Sequence, residues 1–369
     1  MEGKWGRLRL LRHLFLTDGT TTIIYWGRTM NHRFHKVVIT GLAHVEGHVE
    51  LTTHEINTRL ADTRKRLGIN TDALGSVVGV KARRLWNDGT TVDAVATEAG
   101  FKALKDAGIA SDDVGLLLNT SVSRDYLEPA TAAIVAGQLG VSSTCQSFDI
   151  ANACLAFVSG MDMASLMIER GECTHALIVD AENANPIYEH TLARLSNSQT
   201  TQEQFRDELA SMTLGSGAVA MVLSHIDYAP EAPRYLGGVT RSATQWHNLC
   251  RGNLDRMTTD TKQLMIAGMA LASETWNAAQ SVLGWNAQDM DHFICHQVSK
   301  PHTKGIIKSI GIDPSKVMTI FEDHGNLGPA SVPTVLSKLR DNEKLHKGDR
   351  IALLGIGSGL NCTMAEICW

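Results

Sequence analysis

Two stretches, Ala107–Thr120 (AGIASDDVGLLLNT) and Leu283–His296 (LGWNAQDMDHFICH), align without a gap at an offset of 176 residues. Gly108 falls on Gly284, Asp113 on Asp289, and the apolar run GLLLN on DHFIC. Two more pairs follow in the same order. LGVSSTCQSFDIANACL matches IGIDPSKVMTIFEDHGN, with Gly140 on Gly311 at an offset of 171, and LIVDAENAN (Leu177–Asn185) matches LLGIGSGLN (Leu353–Asn361) at 176. Identities in each pair are few. Three matches in one order at a nearly constant offset nevertheless describe a chain built from two copies of one unit.

Working outward, each copy reads as strands alternating with helices. Helices are predicted over Val92–Ala107, Ala130–Leu139, Leu155–Arg170, Thr261–Val282, Pro301–Ile310 and Ala330–Arg340. The intervening strands VGLLLN, HALIVD, AVAMVL and RIALLG are short, apolar and do not alternate, the pattern of strands buried on both faces. Such alternation implies an α/β protein with parallel-rich sheets and right-handed crossovers. Two sheets sharing a central helical layer make a five-layered αβαβα sandwich from two pseudo-symmetric halves. The expected organisation is a peripheral extension over residues 1–35, an N-terminal half over 36–229 and a C-terminal half over 230–369. A polar, helical insertion around 185–212 has no counterpart in the second half. Tyr228–Arg234, with Pro230 and Pro233, forms the junction.

Bulk properties narrow the function classes. The chain has 369 residues, 43% hydrophobic and 20% charged, ordinary globular values. A net charge of −5 without a Lys/Arg stripe leaves no footprint for nucleic acid. Seven cysteines, an odd number with no CxxC pair, fit reduced thiols in a cytoplasmic protein better than a disulfide scaffold or zinc site. HVEGHVE, around His44 and His48, lacks a clean ligand set, so no metal is expected. No apolar run approaches the eighteen or so residues of a transmembrane helix. Residues 1–29 are basic and interrupted by Arg12 and His13, unlike a secretory leader.

Reactive residue types gather on equivalent turns of the repeat. In FDIANACLAF (Phe148–Phe157), Cys154 sits where a strand ends and a helix opens. Free N–H groups and the helix dipole favour thiolate there, and a thiolate on such a turn attacks carbonyls. Read alone, Cys154 is equally well a small buried hydrophobe. Asn326 falls one position from Cys154 in the repeat alignment, His296 closes the strand DHFIC, and Ser358 lies in the turn GIGSGLN. In a pseudo-twofold α/β fold the carboxyl ends of equivalent strands converge, so these residues come to one pocket and Cys154 reads as a nucleophile. Cys, His and Asn then have two chemical readings. A papain-like hydrolase would use His as base and Asn as its orienter, but the CG-S/A-C-W/Y signature is missing. A thioester-condensing enzyme would acylate the Cys and use His and Asn as donors to a second thioester carbonyl, stabilising its enolate.

NACLAF, CHQVSKPH, HGNLGPASVP and GIGSGLN resemble the active-site segments of the thiolase superfamily, in its ketoacyl synthase III branch. NTSVSRDYLEPATA, ARRLWND and CRGNLDRM are similar to segments of the thiolases that join two fatty acyl-CoA chains head to head in long-chain olefin biosynthesis. The similarity runs from about Lys36 to Trp369. It implies the thiolase fold, Cys154 as the acylated nucleophile, and His296 and Asn326 as donors to the second thioester. It also implies an oxyanion hole from the backbone N–H groups of Cys154 and Ser358, with Asn361 and Gly359 shaping the turn. Glu128 in SRDYLEPAT precedes Pro129 at a helix start, where an acid is ordinarily a cap. The resemblance makes it instead the general base, reaching the Cys pocket of a partner subunit in a homodimer.

Two departures bear on the substrate. HQVSKPH carries Ser299 where carrier-protein enzymes commonly have Asn in HQANxRI, which weakens a carrier-protein substrate. GIGSG departs from the GFGPG ending of type III polyketide synthases. The expected activity is therefore non-decarboxylative Claisen condensation of two long-chain acyl-CoAs to a 2-alkyl-3-keto acid. Acyl-CoA is the substrate and no cofactor is required. Downstream olefin-pathway enzymes are possible partners. The alternatives are a decarboxylative 3-oxoacyl-ACP synthase III-type enzyme and a Cys-dependent acyl-thioester hydrolase. Arg241, Arg251 and Arg256 are candidates for the CoA phosphates only because their stretch is rich in cations; ordinary surface charge explains them equally well.

Overall fold

The computed structural model describes residues 30–31, 33–253 and 255–369; the segment 1–29 lies outside them. The first half runs β1 (Met30–Asn31), β2 (Val37–Glu46), β3 (Val49–Thr52), α1 (Thr53–Arg59), α2 (Ala61–Arg66), β4 (Ala82–Leu85), α3 (Val92–Ala107) and β5 (Leu116–Asn119). It continues through α4 (Thr131–Leu139), β6 (Gln146–Asp149), α5 (Ala156–Glu169), β7 (His175–Glu182), α6 (Asn185–Leu195), α7 (Gln202–Asp207) and β8 (Gly217–His225). The second half runs β9 (Arg234–Ser242), the small hairpin β10 (Cys250–Gly252) and β11 (Met257–Thr259), then α8 (Thr261–Leu283) and β12 (His292–Cys295). It ends with α9 (Lys300–Ile310), α10 (Phe321–His324), α11 (Ser331–Asp341), β13 (Arg350–Gly357) and β14 (Asn361–Cys368).

The strand order is β12-β13-β14-β9-β2-β8-β7-β5-β6. From the centre outward, β2, β8, β7, β5 and β6 pair antiparallel, antiparallel, parallel and parallel. On the other side β9, β14, β13 and β12 repeat that series, and a parallel bridge from Phe293 to Val317 supplies its last step. β2 meets β9 through the pair Val38–Arg234. All eight residues of β7 are buried, as its unbroken apolar reading requires.

Three hydrophobic clusters define the layers. Phe157, Val158, Met161 and Ile168 of α5 pack with Val332, Val335 and Leu336 of α11 between the sheets, against Ile178 and Met221 on one side and Ile294 and Leu353 on the other. Val95, Ala99 and Ala103 of α3 and Val135 of α4 cover the outer face of the first sheet. Leu271, Trp276 and Ala279 of α8 with Ile306 of α9 cover the second. The result is a thiolase fold of five layers. Each large apolar side chain fully buried in the central layer contributes about 1.5–3 kcal/mol.

Two expectations about chain organisation change. Part of the stretch before Lys36 joins the fold: Met30 pairs with Thr240, and Phe34 is buried and stacked on Tyr235 at 5.8 Å. The Glu169 carboxylate accepts from His35 N and Lys36 N, both at 2.5 Å. Here the chain finds partners on β9 and α5, so the fold extends upstream of Lys36. The segment 185–212 is helical, but it is more than a polar excursion. Tyr188, Leu192, Phe205 and Met212 form a fourth apolar cluster with Ile56, Leu60 and Leu74.

HVEGHVE is also accounted for. Glu46 is held by Lys338, His324 at 3.1 Å and His44, His44 Nδ1 bonds Ser337 Oγ at 2.8 Å, and His48 lies against Trp86. Among the described residues no helix is long and apolar enough to cross a membrane.

Candidate active site

Cys154 leaves the sheet through a strained turn. After β6, Ile150 N donates to Asn119 O at 2.8 Å, keeping the chain on the parallel ladder. Ala153 then takes φ 45°, in the left-handed region, and Ala153–Leu155 form one 3-10 turn before α5. Asn152 locks this turn: its Nδ2 donates to Ser159 Oγ at 2.9 Å, and its Oδ1 accepts from Asn361 Nδ2 at 3.1 Å. Asn361 Oδ1 in turn accepts from Ser242 Oγ at 2.7 Å. The turn containing Ser358, between β13 and β14, is thereby tied to the turn containing Cys154. Their approach is close: a Cβ on Gly357 would sit 3.3 Å from Cys154 N and 3.2 Å from Leu155 N.

His296 follows β12 directly and its N–H donates to Leu354 O of β13 at 2.9 Å. β13 thus touches both the His296 and the Cys154 segments. His296 is 3% exposed, and its Nδ1 is buried without a hydrogen-bond partner. Burial, reinforced by neighbouring His302, pushes its pKa down to about 3, so the imidazole is neutral. The next residue, Gln297, is fully buried and staples this loop: Nε2 donates to Cys295 O at 2.9 Å and Oε1 accepts from Ile320 N at 2.9 Å.

Asn326 is fixed by its backbone, donating from N to Thr213 O at 2.8 Å and accepting from Gly215 N at 2.9 Å. Its Oδ1 accepts from Gly328 N at 2.9 Å, leaving Nδ2 as the donor end of the amide. The 3-10 turn Gly328–Ala330 beyond it packs against the Ala153–Leu155 turn. Three turns from distant sequence therefore meet around the Ala153–Leu155 turn.

Glu128 is different. It is exposed on the loop between β5 and α4, beside Tyr126 and Leu127, which are 57% and 84% exposed. It does not cap α4: the amides of Thr131 and Ala132 are taken by Asp149, at 3.1 and 2.8 Å. Ser299, by contrast, is a cap, its Oγ accepting from His302 N at 3.3 Å at the start of α9. Arg256 is committed to the buried Glu208 at 2.9 Å, which Arg194 also holds at 2.9 Å, so it is not a loose surface cation.

The electrostatics of Cys154 run opposite to the helix-terminus argument. Burial pushes the thiol up to about 12, with Cys250, Glu182 and Asp180 adding like-sign repulsion. A helix end supplies only a partial charge, and enclosure plus two carboxylates outweigh it. Both acids stand at the carboxyl end of β7. Burial raises Asp180 well above the carboxylate range and Glu182 to about 7. Sequence reasoning missed these two. Their signal was present: acids at alternate positions of LIVDAEN, inside a strand with no exposed face.

Residues 148–234 match the 3-oxoacyl-[acyl-carrier-protein (ACP)] synthase III family and residues 281–369 match the C-terminal domain of that family. A protein of Xanthomonas campestris pv. campestris described as acyl-CoA:acyl-CoA alkyltransferase is 60% identical over 336 residues, covering 91% of this chain and 99% of its own. A Shewanella oneidensis protein of the same description is 33% identical over 349 residues, covering 91% of this chain and all of its own. The crystal structure of a cysteine-to-serine variant of X. campestris OleA, with bound lauric acid and lauroyl-CoA, is 60% identical with a TM-score of 0.90 over 91% of this chain and 100% of that one. The same OleA has been solved with one glutamate or one histidine replaced. Fold, site segments and identity over nine-tenths of the chain place this protein in the thiolase superfamily, within the ketoacyl synthase III-like branch that contains the OleA acyl-CoA:acyl-CoA alkyltransferases.

Proposed function

We propose that the protein joins two long-chain fatty acyl-CoAs head to head by non-decarboxylative Claisen condensation, in the making of long-chain hydrocarbons. Cys154 Sγ attacks the first thioester and CoA leaves as its thiol, taking the proton. Glu128 removes the α-proton of a second acyl-CoA. The resulting enolate oxygen is met by His296 and the Asn326 Nδ2, and its α-carbon attacks the Cys154 thioester. A carbon–carbon bond forms, the carbon–sulfur bond breaks, and Cys154 is released. The product is a 2-alkyl-3-ketoacyl-CoA, whose thioester is hydrolysed to the keto acid. The backbone N–H groups of Cys154 and Ser358 hold the oxyanion in both acyl-transfer steps.

One observation carries the assignment of roles. Glu128, Cys154 and His296 are separated by 26 and 142 positions, and the glutamate, cysteine and histidine replaced in the OleA structures have the same two separations. An unactivated acyl-CoA needs a base for its weakly acidic α-proton, and a free carboxylate is a suitable one. Because Glu128 is exposed within one chain, its pocket is that of a second copy. The exposed Tyr126 and Leu127 and the open edge of β6 support a homodimer. Seven uncombined cysteines support a cytoplasmic setting.

Incubation with myristoyl-CoA alone should release CoA and yield condensed keto acid or the ketone formed from it. A requirement for a malonyl thioester, or myristic acid as sole product, overturns the reading. Glu128→Ala should retain first-turnover CoA release while condensation falls by about a hundredfold or more; unchanged condensation removes Glu128 as base.

A further inference from the structure

The loop that carries Glu128 is held by a buried carboxylate that the reaction as written does not use. Glu182, at the end of β7, is 8% exposed. It accepts from Val122 N at 2.6 Å, from Ser123 N at 3.1 Å and from Ser123 Oγ at 2.6 Å. Ser123 Oγ accepts from Asn183 N at 3.0 Å, so strand end and loop are stitched in both directions. The Glu182 carbonyl also receives Trp86 Nε1 at 2.9 Å. On its other flank stands the turn after Asn326, where a Cβ on Gly328 would lie 3.5 Å from the Glu182 side chain.

The rest of the loop is pinned by carboxylates as well. Asp125 Oδ2 accepts from Val92 N at 2.7 Å, and Asp149 holds the amides of Thr131 and Ala132. The tip, Tyr126–Glu128, is exposed. Burying a carboxylate is costly, and more so beside a cysteine that must shed its proton. A neutral acceptor would hold a merely structural loop more cheaply. Three donors spread over both oxygens of one carboxyl group fix its orientation, and the attachment stiffens further in the charged form, because charge-assisted hydrogen bonds are stronger than neutral ones.

We propose that Glu182 is a positioning residue for the condensation step: it fixes the root of the 122–130 loop, and through it the reach of Glu128 into the partner's pocket, relative to the Asn326 turn. This rests on Glu128 being the base. A displacement of about 1 Å in a reacting group costs on the order of a hundredfold in rate, so the attachment affects the condensation step and spares acylation, which does not use Glu128.

The test compares Glu182→Gln, Glu128→Ala and the double variant in the full-length enzyme, with first-turnover CoA release, kcat and KM for condensation, and Tm. Glu182→Gln is expected to keep KM within about twofold and to leave the acylation burst undiminished, since removing a carboxylate near Cys154 eases rather than hinders thiol ionisation, while kcat for condensation falls about ten- to hundredfold. In the Glu128→Ala background it should add no further loss, because both changes disable one unit. Equal losses of acylation and condensation, or losses that multiply in the double variant, overturn the proposal. If Glu128→Ala condenses normally, the base reading itself fails. If Glu128→Ala is inactive and Glu182→Gln is not impaired, only the positioning role fails. Should Glu182→Gln not fold, Ser123→Ala removes the two bonds of the Ser123 hydroxyl, to Glu182 and from Asn183 N, and should give the same split at several-fold; no split there also overturns the proposal.

Discussion

Ala153 holds φ 45° immediately before Cys154, a conformation that costs a non-glycine residue about 1–2 kcal/mol. The strain is sustained by the Asn152 bonds to Ser159 and Asn361, and it lifts Cys154 out of the strand line. The thiol so placed is neutral at rest, raised to about 12 by burial and by its neighbours. Because the pKa lies above the working range, the thiolate fraction grows with pH. Alkylation of Cys154 by iodoacetamide, followed on its own peptide by mass spectrometry, should rise about tenfold per pH unit from 7 to 10 without a plateau. Saturation below pH 9 would show a lower pKa than this enclosure allows. NACLAF marked Cys154 as a candidate nucleophile, but the direction of its pKa was not legible there. The groups that set it, Cys250, Glu182 and Asp180, come from segments that are adjacent only in the folded chain.

At the scale of elements, the site is made by turns at strand ends. Helix α3 was legible to the residue, and α4, α5, α8, α9 and α11 to within one residue or so at either end, because each carries a sustained apolar face. The short α1 and α2 were not, since seven and six residues hold too few periods to register. The capping of α4 was not legible either: adjacency alone favours Glu128, which the resemblance had made a base instead, and the amides of Thr131 and Ala132 go to Asp149 at the end of β6. At the site, β13 lies close against the Cys154 turn. Gly357→Ala would place a Cβ against backbone nitrogen atoms that cannot rotate away. It should cost about 1–3 kcal/mol in stability and abolish Cys154 acylation, read by a thermal melt and by first-turnover CoA release. Normal acylation in that variant would mean that the two turns are not rigidly coupled.

For the whole molecule, the two half-sheets repeat one pairing series, and the loop after β5 projects an apolar, acid-tipped arm from the first. Leu127, 84% exposed, is the most solvent-accessible large apolar side chain on this arm. Leu127→Asp should shift the protein to monomer in light scattering, with acylation kept and condensation lost. A dimer that persists with full condensation would place the contact surface elsewhere. The sequence by itself determined the duplicated α/β architecture and singled out Cys154, His296 and Asn326 as candidate site residues, because periodicity, repeat offset and motif are all local or nearly so. Only the tertiary structure decided that Phe34 belongs to the core, that Asp149 takes the first amides of α4, and that Glu182 holds the loop leading to Glu128. These are contacts between segments far apart in the chain, and burial turns them into fixed geometry and shifted proton affinities that no single stretch encodes.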